Sequence, residues 1–232
     1  GLSCRLQSLR EAVLQTHREY FSDESKGHSM SLPELGEIDS DTWAAREPDE
    51  DWLMWRARRC AERLRRMPIQ LDAGELIVGK PKFRRLEDVD VEHKSESKSV
   101  VDAEIPPFPG GDAGHFHPDY DALFEAGIGG IAQRIRGLRA THASDSQKRT
   151  FYDACLLAIE SISMYANRLA DECEAMAGKC GVTTDGDEDE AYWYSLAGIC
   201  RHVSTKAPRS FHEAIQLMYI TQISLWFGED HG

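Results

Sequence analysis

Apolar residues recur at three- and four-residue steps along much of this chain, so helices dominate the expected structure. The longest such stripe is Phe151, Cys155, Ile159, Ile162, Tyr165, Leu169, Cys173 and Met176. It predicts one continuous helix from about Asp145 to Ala177, with Phe151, Ile159, Ile162 and Leu169 buried. Ser144 and Gln147 form a capping-box pattern at its start, and Gly178 is the expected stop. Such a helix is roughly 50 Å long at 1.5 Å per residue, more than a small domain requires. It implies packing against a larger body.

Other segments follow the same logic. Leu2, Leu6, Leu9, Val13 and Tyr20 mark a first helix over about Leu2 to Phe21. The polar stretch from Ser22 to Asp41 reads as a linker. A second helix opens at the EPDED run, whose Pro48 and acids suit a helix start. It carries Trp52, Trp55, Cys60 and Leu64 along one side and ends in arginines before Pro68, which matches the helix dipole. Glu75 to Gly79, ELIVG, is a short apolar run between turn residues and predicts a buried strand. Lys80 to Gly114 is charged, then rich in proline and glycine, as in a long irregular connection. After the acidic loop TTDGDEDE comes a helix near Ala191 to Val203. Ser210 with Glu213 then caps a last helix, FHEAIQLMYITQISLWF, which is apolar nearly all round and belongs inside a larger protein.

Composition narrows the function classes. The 232 residues suffice for one or two domains with a sizeable core, and 41% hydrophobic with 29% charged is ordinary globular usage. Against 27 Lys+Arg stand 40 Asp+Glu, a net charge of −13, which repels phosphate backbones and anionic lipid. Nucleic acid and membrane surfaces are therefore poor partners. No stretch approaches the apolar length of a membrane span, and the start lacks a signal peptide's layout, so the cytoplasm is the expected location. The six cysteines have no CxxC spacing and most sit in helix-like stretches, as buried or half-buried free thiols in a reducing compartment.

Four stretches together carry a resemblance: RRMPIQLDAGELIVG, GHFHPDYDALFEAGIGGI, FYDACLLAIESISMYANRLADE and LAGICRHVSTKAPRSFHEAIQLMYITQISLWFGEDHG. In this order and spacing, over about Met67 to Gly232, the chain resembles the N-terminal part of glycyl radical enzymes of the pyruvate formate-lyase-like type. It is closer to the dehydratase-like members. The resemblance implies a mainly helical chain with a few short strands, the N-terminal helical portion of a ten-stranded α/β barrel. Residues 1–66 would be N-terminal helices, 67–114 the strand and irregular connection, and 115–232 the helical portion. The implied chemistry is that of a radical lyase, dehydratase, decarboxylase or formate acetyltransferase-like acyltransferase: hydrogen abstraction from a small polar metabolite by a thiyl, itself formed by a glycyl radical. A separate S-adenosylmethionine-dependent activating enzyme installs that radical, and this chain would bind no cofactor of its own. None of the six cysteines stands in the G-C-x-E context of the radical cysteine, and the glycine loop is absent too. The chain alone is therefore expected to be inactive, a fragment or one half of a split enzyme. Its implied partners are the substrate, the activating enzyme, the remainder of the polypeptide or a complementary chain, and a second copy in a full-length homodimer. The connection from Lys80 to Ala113 is shorter than in better-known dehydratases.

GHFHPDY is the first candidate site. Gly114 permits a tight backbone, Pro118 fixes a turn and Asp119 can cap the following helix. The bland alternative is a helix start with one exposed and one packed histidine. By resemblance, His115 reaches the cavity and hydrogen-bonds a substrate oxygen, as an imidazole can at neutral pH. Asp119 and Glu229 are the accompanying substrate-contact candidates. A metal reading uses His115 and His117 with Asp112 or Asp119, since H-x-H sets both rings on one side of an extended segment. It would make the chain a metal-dependent hydrolase. A non-catalytic helical scaffold is the remaining class. Arg149, Arg168 and Arg201 are possible carboxylate partners, although helical arginines are usually solvated. His231 near the end is a further site-lining candidate. Trp52 and Trp55 read as core or interface anchors.

Overall fold

A computed structural model of the protein describes residues 7, 10, 11, 13–15, 30–85, 118–180 and 186–229. Among the described residues, these helices are bounded: α1 (Pro33–Ala44), α2 (Trp52–Arg66), α3 (Tyr120–Thr141), α4 (Ser146–Cys180), α5 (Gly186–Val203) and α6 (Phe211–Glu229). Residues 7, 10, 11 and 13–15 are helical as well, with Val13 exposed instead of buried. The remainder of that first expected helix lies outside the described residues. None of the described helices is long and apolar enough to cross a membrane.

The second half of the expected linker is a helix, α1. Locally it is weak, with Pro33 in its first turn as the main start signal. What holds it is remote. Ile38 is buried, and Asp39 accepts from Arg63 Nε at 2.7 Å and Arg59 Nη2 at 3.0 Å, while Arg63 Nη2 closes a bidentate pair. Arg63 Nη1 also donates to Phe227 O of α6 at 3.2 Å. A side chain 24 positions away is invisible to local periodicity.

Helix α2 follows the sequence reading. Asp51 caps it by accepting from Leu53 N at 2.9 Å, and Trp55, Cys60 and Leu64 are buried. Trp52 stacks on Trp55 with centroids 4.7 Å apart, and Trp43 of α1 meets Trp55 edge-on at 5.2 Å. These tryptophans are the α1–α2 anchor.

Helix α4 departs in three details. Its start is capped by Asp145, whose Oδ1 accepts from Lys148 N at 3.1 Å, not by Ser144. It runs through Gly178 to Cys180, because Cys173 and Ala177 keep packing there and a single exposed glycine costs only about 1 kcal/mol. Its buried face is Ala154, Ser161, Tyr165, Ala166, Leu169, Ala170, Cys173 and Ala177. Phe151 is exposed, and Ile159 and Ile162 are only partly covered.

Strand content is slight. Met30–Ser31 (β1) pairs antiparallel with Arg84–Arg85 (β2), and Ile69 bridges Pro81. No other strand occurs among the described residues, so ELIVG is not one. Helix α3 bends where Gly127 takes φ 66°, ψ 172°. A Cβ there would lie 2.4 Å from the Lys206 carbonyl carbon, so only glycine allows this approach. Just past the bend, Gly129 N–H donates to Thr205 O at 2.8 Å, satisfying an otherwise orphaned helix-start donor. The core lies where α2, α3, α4, α5 and α6 converge, around Leu64, Met67, Val78, Ile128, Tyr165, Leu169, Trp193, Leu196, Leu217 and Ile220.

Candidate functional site

The segment from Met67 to Lys80 crosses this core without belonging to a helix, and side chains hold its backbone. Val78 N–H donates to Gln216 Oε1 at 2.9 Å, and Gln216 Nε2 donates back to Val78 O at 2.7 Å. One carboxamide thus makes the two bonds that a neighbouring strand would make. This is why an apolar run that reads as a strand needs no sheet. Tyr165 Oη donates to Gly79 O at 2.6 Å, His212 Nε2 to Leu76 O at 2.6 Å, and Arg168 Nη2 to Met67 O at 3.0 Å. Burial pushes the Tyr165 phenol far up, so it remains a donor.

Beside this clamp sits a polar group of Asp72, Glu75, Lys80 and Tyr219. Lys80 Nζ pairs with Asp72 and lies 3.4 Å from Glu75 Oε1. Burial pushes Glu75 up more than its hydrogen bonds pull it down. Burial would also lower Lys80, but Asp72 and Glu75 outweigh it and leave the ammonium raised. For Asp72, burial is outweighed by hydrogen bonds from Gln70 and Lys80, and the carboxyl is lowered. Burial beside Glu75 raises Tyr219. Gln216 entered the sequence reading only within the SFHEAIQ stretch, and neither its clamp nor this polar group was singled out there. The available signal was an amide inside an otherwise apolar run, because a buried amide requires partners.

At the other edge, α6 begins with the expected cap. Glu213 N–H donates to Ser210 Oγ at 3.2 Å, and the Glu213 carboxylate reaches back to Arg209 N at 2.5 Å. The Arg209 guanidinium holds that carboxyl below its usual range, despite burial. His202 Nε2 donates to Ala207 O at 2.9 Å, closing the turn that Gly127 touches.

The candidate substrate contacts fall as follows. Asp119 is the exposed N-cap of α3 and accepts from Ala122 N at 3.0 Å, so one oxygen is already committed to the helix. Tyr120 Oη donates to Gln222 Oε1 at 3.3 Å, tying the start of α3 to α6. Glu229 is the last residue of that same helix, seven positions on and roughly 10 Å along its axis. A single hydrogen bond thus links the start of α3 to α6. His115, His117, Asp112 and His231 lie outside the described residues. Among the described residues no group of three or more metal-ligand types could hold an ion. The three arginines are engaged elsewhere: Arg168 with Leu64 O and Met67 O, Arg201 with Asp171 and Glu174, Arg149 with Ala143 O. Cys60, Cys173 and Cys200 are buried, and burial pushes Cys173 up to about 12 and Cys200 up as well. The Cys173 and Cys200 thiols stay protonated.

Comparison with known proteins gives this frame an identity. Two isethionate sulfite-lyases, from Bilophila wadsworthia and Oleidesulfovibrio alaskensis, are each 27% identical over 110 residues, 45% of this chain. Among solved structures, the B12-independent glycerol dehydratase of Clostridium butyricum superposes on 88% of the chain with TM-score 0.66 and 18% identity. Hydroxyproline dehydratase from Clostridioides difficile superposes on 98% with TM-score 0.68 and 16% identity, and a glycyl radical enzyme from Archaeoglobus fulgidus on 87% with TM-score 0.67. The chain spans 13% of the length of those sulfite-lyases and 33–35% of those three structures. Residues 87–230 match the family model described as pyruvate formate lyase-like, and with more than half of its length so matched, the chain belongs to that family.

Proposed function

We propose that the chain is the N-terminal part of a glycyl radical lyase or dehydratase that acts on a small polar metabolite in the cytoplasm. The observation that carries this reading is the superposition of nearly the whole chain on enzymes of that kind. The thiyl cysteine and the glycyl radical would lie outside this chain, in the remainder of the polypeptide or a complementary chain. Burial raises the thiols of Cys155, Cys173 and Cys200, which supports that placement for these three. An activating enzyme that uses S-adenosylmethionine would install the radical, and the full-length protein would be a homodimer.

Within the site, His115 would hydrogen-bond a substrate oxygen, with Asp119 and Glu229 beside it. Asp119 caps α3 directly after the GHFHP stretch of the sequence, which supports a non-helical position for His115. An imidazole there can donate to a hydroxyl or relay a proton to a leaving group.

The test is electron paramagnetic resonance with activating enzyme and S-adenosylmethionine under anaerobic conditions. The full-length protein should give a glycyl doublet, and this chain alone none. Turnover is then assayed on glycerol, trans-4-hydroxy-L-proline and isethionate, the compounds named for the relatives above. His115→Ala should cut turnover by ~100-fold or more with the radical yield intact, and His117→Ala should do little. No doublet in the full-length protein would leave a non-catalytic scaffold. Equal effects of the two histidine changes would reduce GHFHPDY to a helix start.

A further inference from the structure

The end of α6 is held from outside the helix. The last four carbonyls of a helix have no partner within it, and that end carries a partial negative charge. Helix α6 has no basic residue in its last turn to answer either need. Arg63 of α2 answers both. Its Nη1 donates to Phe227 O at 3.2 Å, across 164 positions of sequence. Its Nε donates to Asp39 Oδ1 of α1 at 2.7 Å, and its Nη2 to the second oxygen of the same carboxylate. Arg63 is 3% exposed and Asp39 6%, so little water competes for these bonds. The Phe83 ring also meets the Phe227 ring, with centroids 5.6 Å apart. Backbone and side chain of Phe227 are thus both clamped.

Glu229 lies two residues beyond that clamp, as the last residue of α6. An acid at a helix C-terminus opposes the dipole, so helix stability does not favour one there. A guanidinium at the same end offsets the cost. Nor is a buried ion pair an economical source of stability, because desolvation of both charges offsets much of their attraction. Geometry is what this pair secures, since it ties α1, α2 and the end of α6 to one point. We propose that Arg63, oriented by Asp39, is a positioning residue: by capping α6 it sets where the backbone at Glu229 stands relative to the substrate. This rests on the reading above that Glu229 contacts substrate. Arg63 touches no substrate and acts only through the helix end. Its leverage is large, because a displacement of about 1 Å in a contacting group can cost on the order of 100-fold in rate.

The test uses the full-length protein with Arg63→Met, in which Asp39 keeps Arg59 Nη2 at 3.0 Å and is not left unpaired. Amide hydrogen exchange is read first. Residues 226–229 should exchange ~10-fold faster in the variant, while residues 212–222 keep their native rates. Unchanged exchange at 226–229 overturns the inference. After activation, kcat/KM is read on the three compounds above, with and without Glu229→Gln. Arg63→Met should lower it by ~10-fold with the glycyl doublet intact, and should do almost nothing in the Glu229→Gln background, since two residues acting through one contact are not additive. Equal losses in both backgrounds overturn the inference and leave Arg63 a structural residue. A slow Glu229→Gln beside a native-like Arg63→Met sinks the inference alone. Native turnover in Glu229→Gln sinks the substrate-contact reading, and the inference with it. Where Arg63→Met does not assemble, Arg63→Lys takes its place. Its single ammonium keeps the charge but cannot hold both Asp39 oxygens and reach Phe227 O at once, so the same dependence on Glu229 is expected.

Discussion

The two halves of α4 carry the same apolar periodicity and have opposite fates. From Tyr165 to Ala177 the helix buries Tyr165, Ala166, Leu169, Ala170, Cys173 and Ala177 completely. From Phe151 to Ile162 it carries larger apolar side chains, yet Phe151 is exposed and Ile159 and Ile162 are only partly covered. The difference is size. Small residues at 166, 170, 173 and 177 let α5 come close, and Trp193, Leu196, Ala197 and Cys200 fill the seam from the other side. Close helix packing selects for small side chains at the contact, so the most buried stretch is not the one with the largest side chains. The inner half also carries the backbone clamp, through Tyr165 and the neighbouring Gln216.

Four substitutions and one titration can break that comparison. Leu169→Ala should cost about 2–5 kcal/mol in urea unfolding, since the site is fully buried and cannot collapse. Gln216→Leu should cost about 1–3 kcal/mol, because it strands the buried N–H and C=O of Val78. Ile162→Ala should fall below about 2 kcal/mol, as a partly covered methyl cluster leaves little cavity. Phe151→Ala should stay within about 0.5 kcal/mol. If the Phe151 and Leu169 changes cost the same, the two halves are equivalent and the face assignment fails. The titration concerns Glu213, whose carboxyl is held low by Arg209. Its contribution is present above the ordinary carboxylate value and is lost as pH falls through the lowered folded value. Stability should therefore drop more steeply in acid for the native chain than for Glu213→Gln, read as urea midpoints between neutral and low pH. A steeper acid loss in the variant would reverse that sign.

Much of the helical frame was legible because its signals are local. Asp51 and the arginines of α2, the Ser210–Glu213 cap of α6 and the start of α3 at Asp119 each follow from short-range hydrogen bonding and the helix dipole. Helix α1 was not legible, since Asp39 gains its partners only from α2. Nor was the cap at Asp145 distinguishable from one at Ser144, one residue away with equal capping chemistry. Of the candidate site, Asp119 falls where the motif suggests and Glu229 ends α6, while the clamp at Val78 was missed entirely.

By itself, then, the sequence determined that this protein is helical, where most of its helices begin, and which family it resembles. Those properties depend on neighbours within a few residues, or on motifs preserved in order. Only the tertiary structure decided which face of α4 is inner, that ELIVG is held by an amide instead of a sheet, and that α1 exists. Each of these depends on a partner that is distant in the chain and adjacent in space, and a hydrogen bond or a packed side chain takes its free energy from that adjacency.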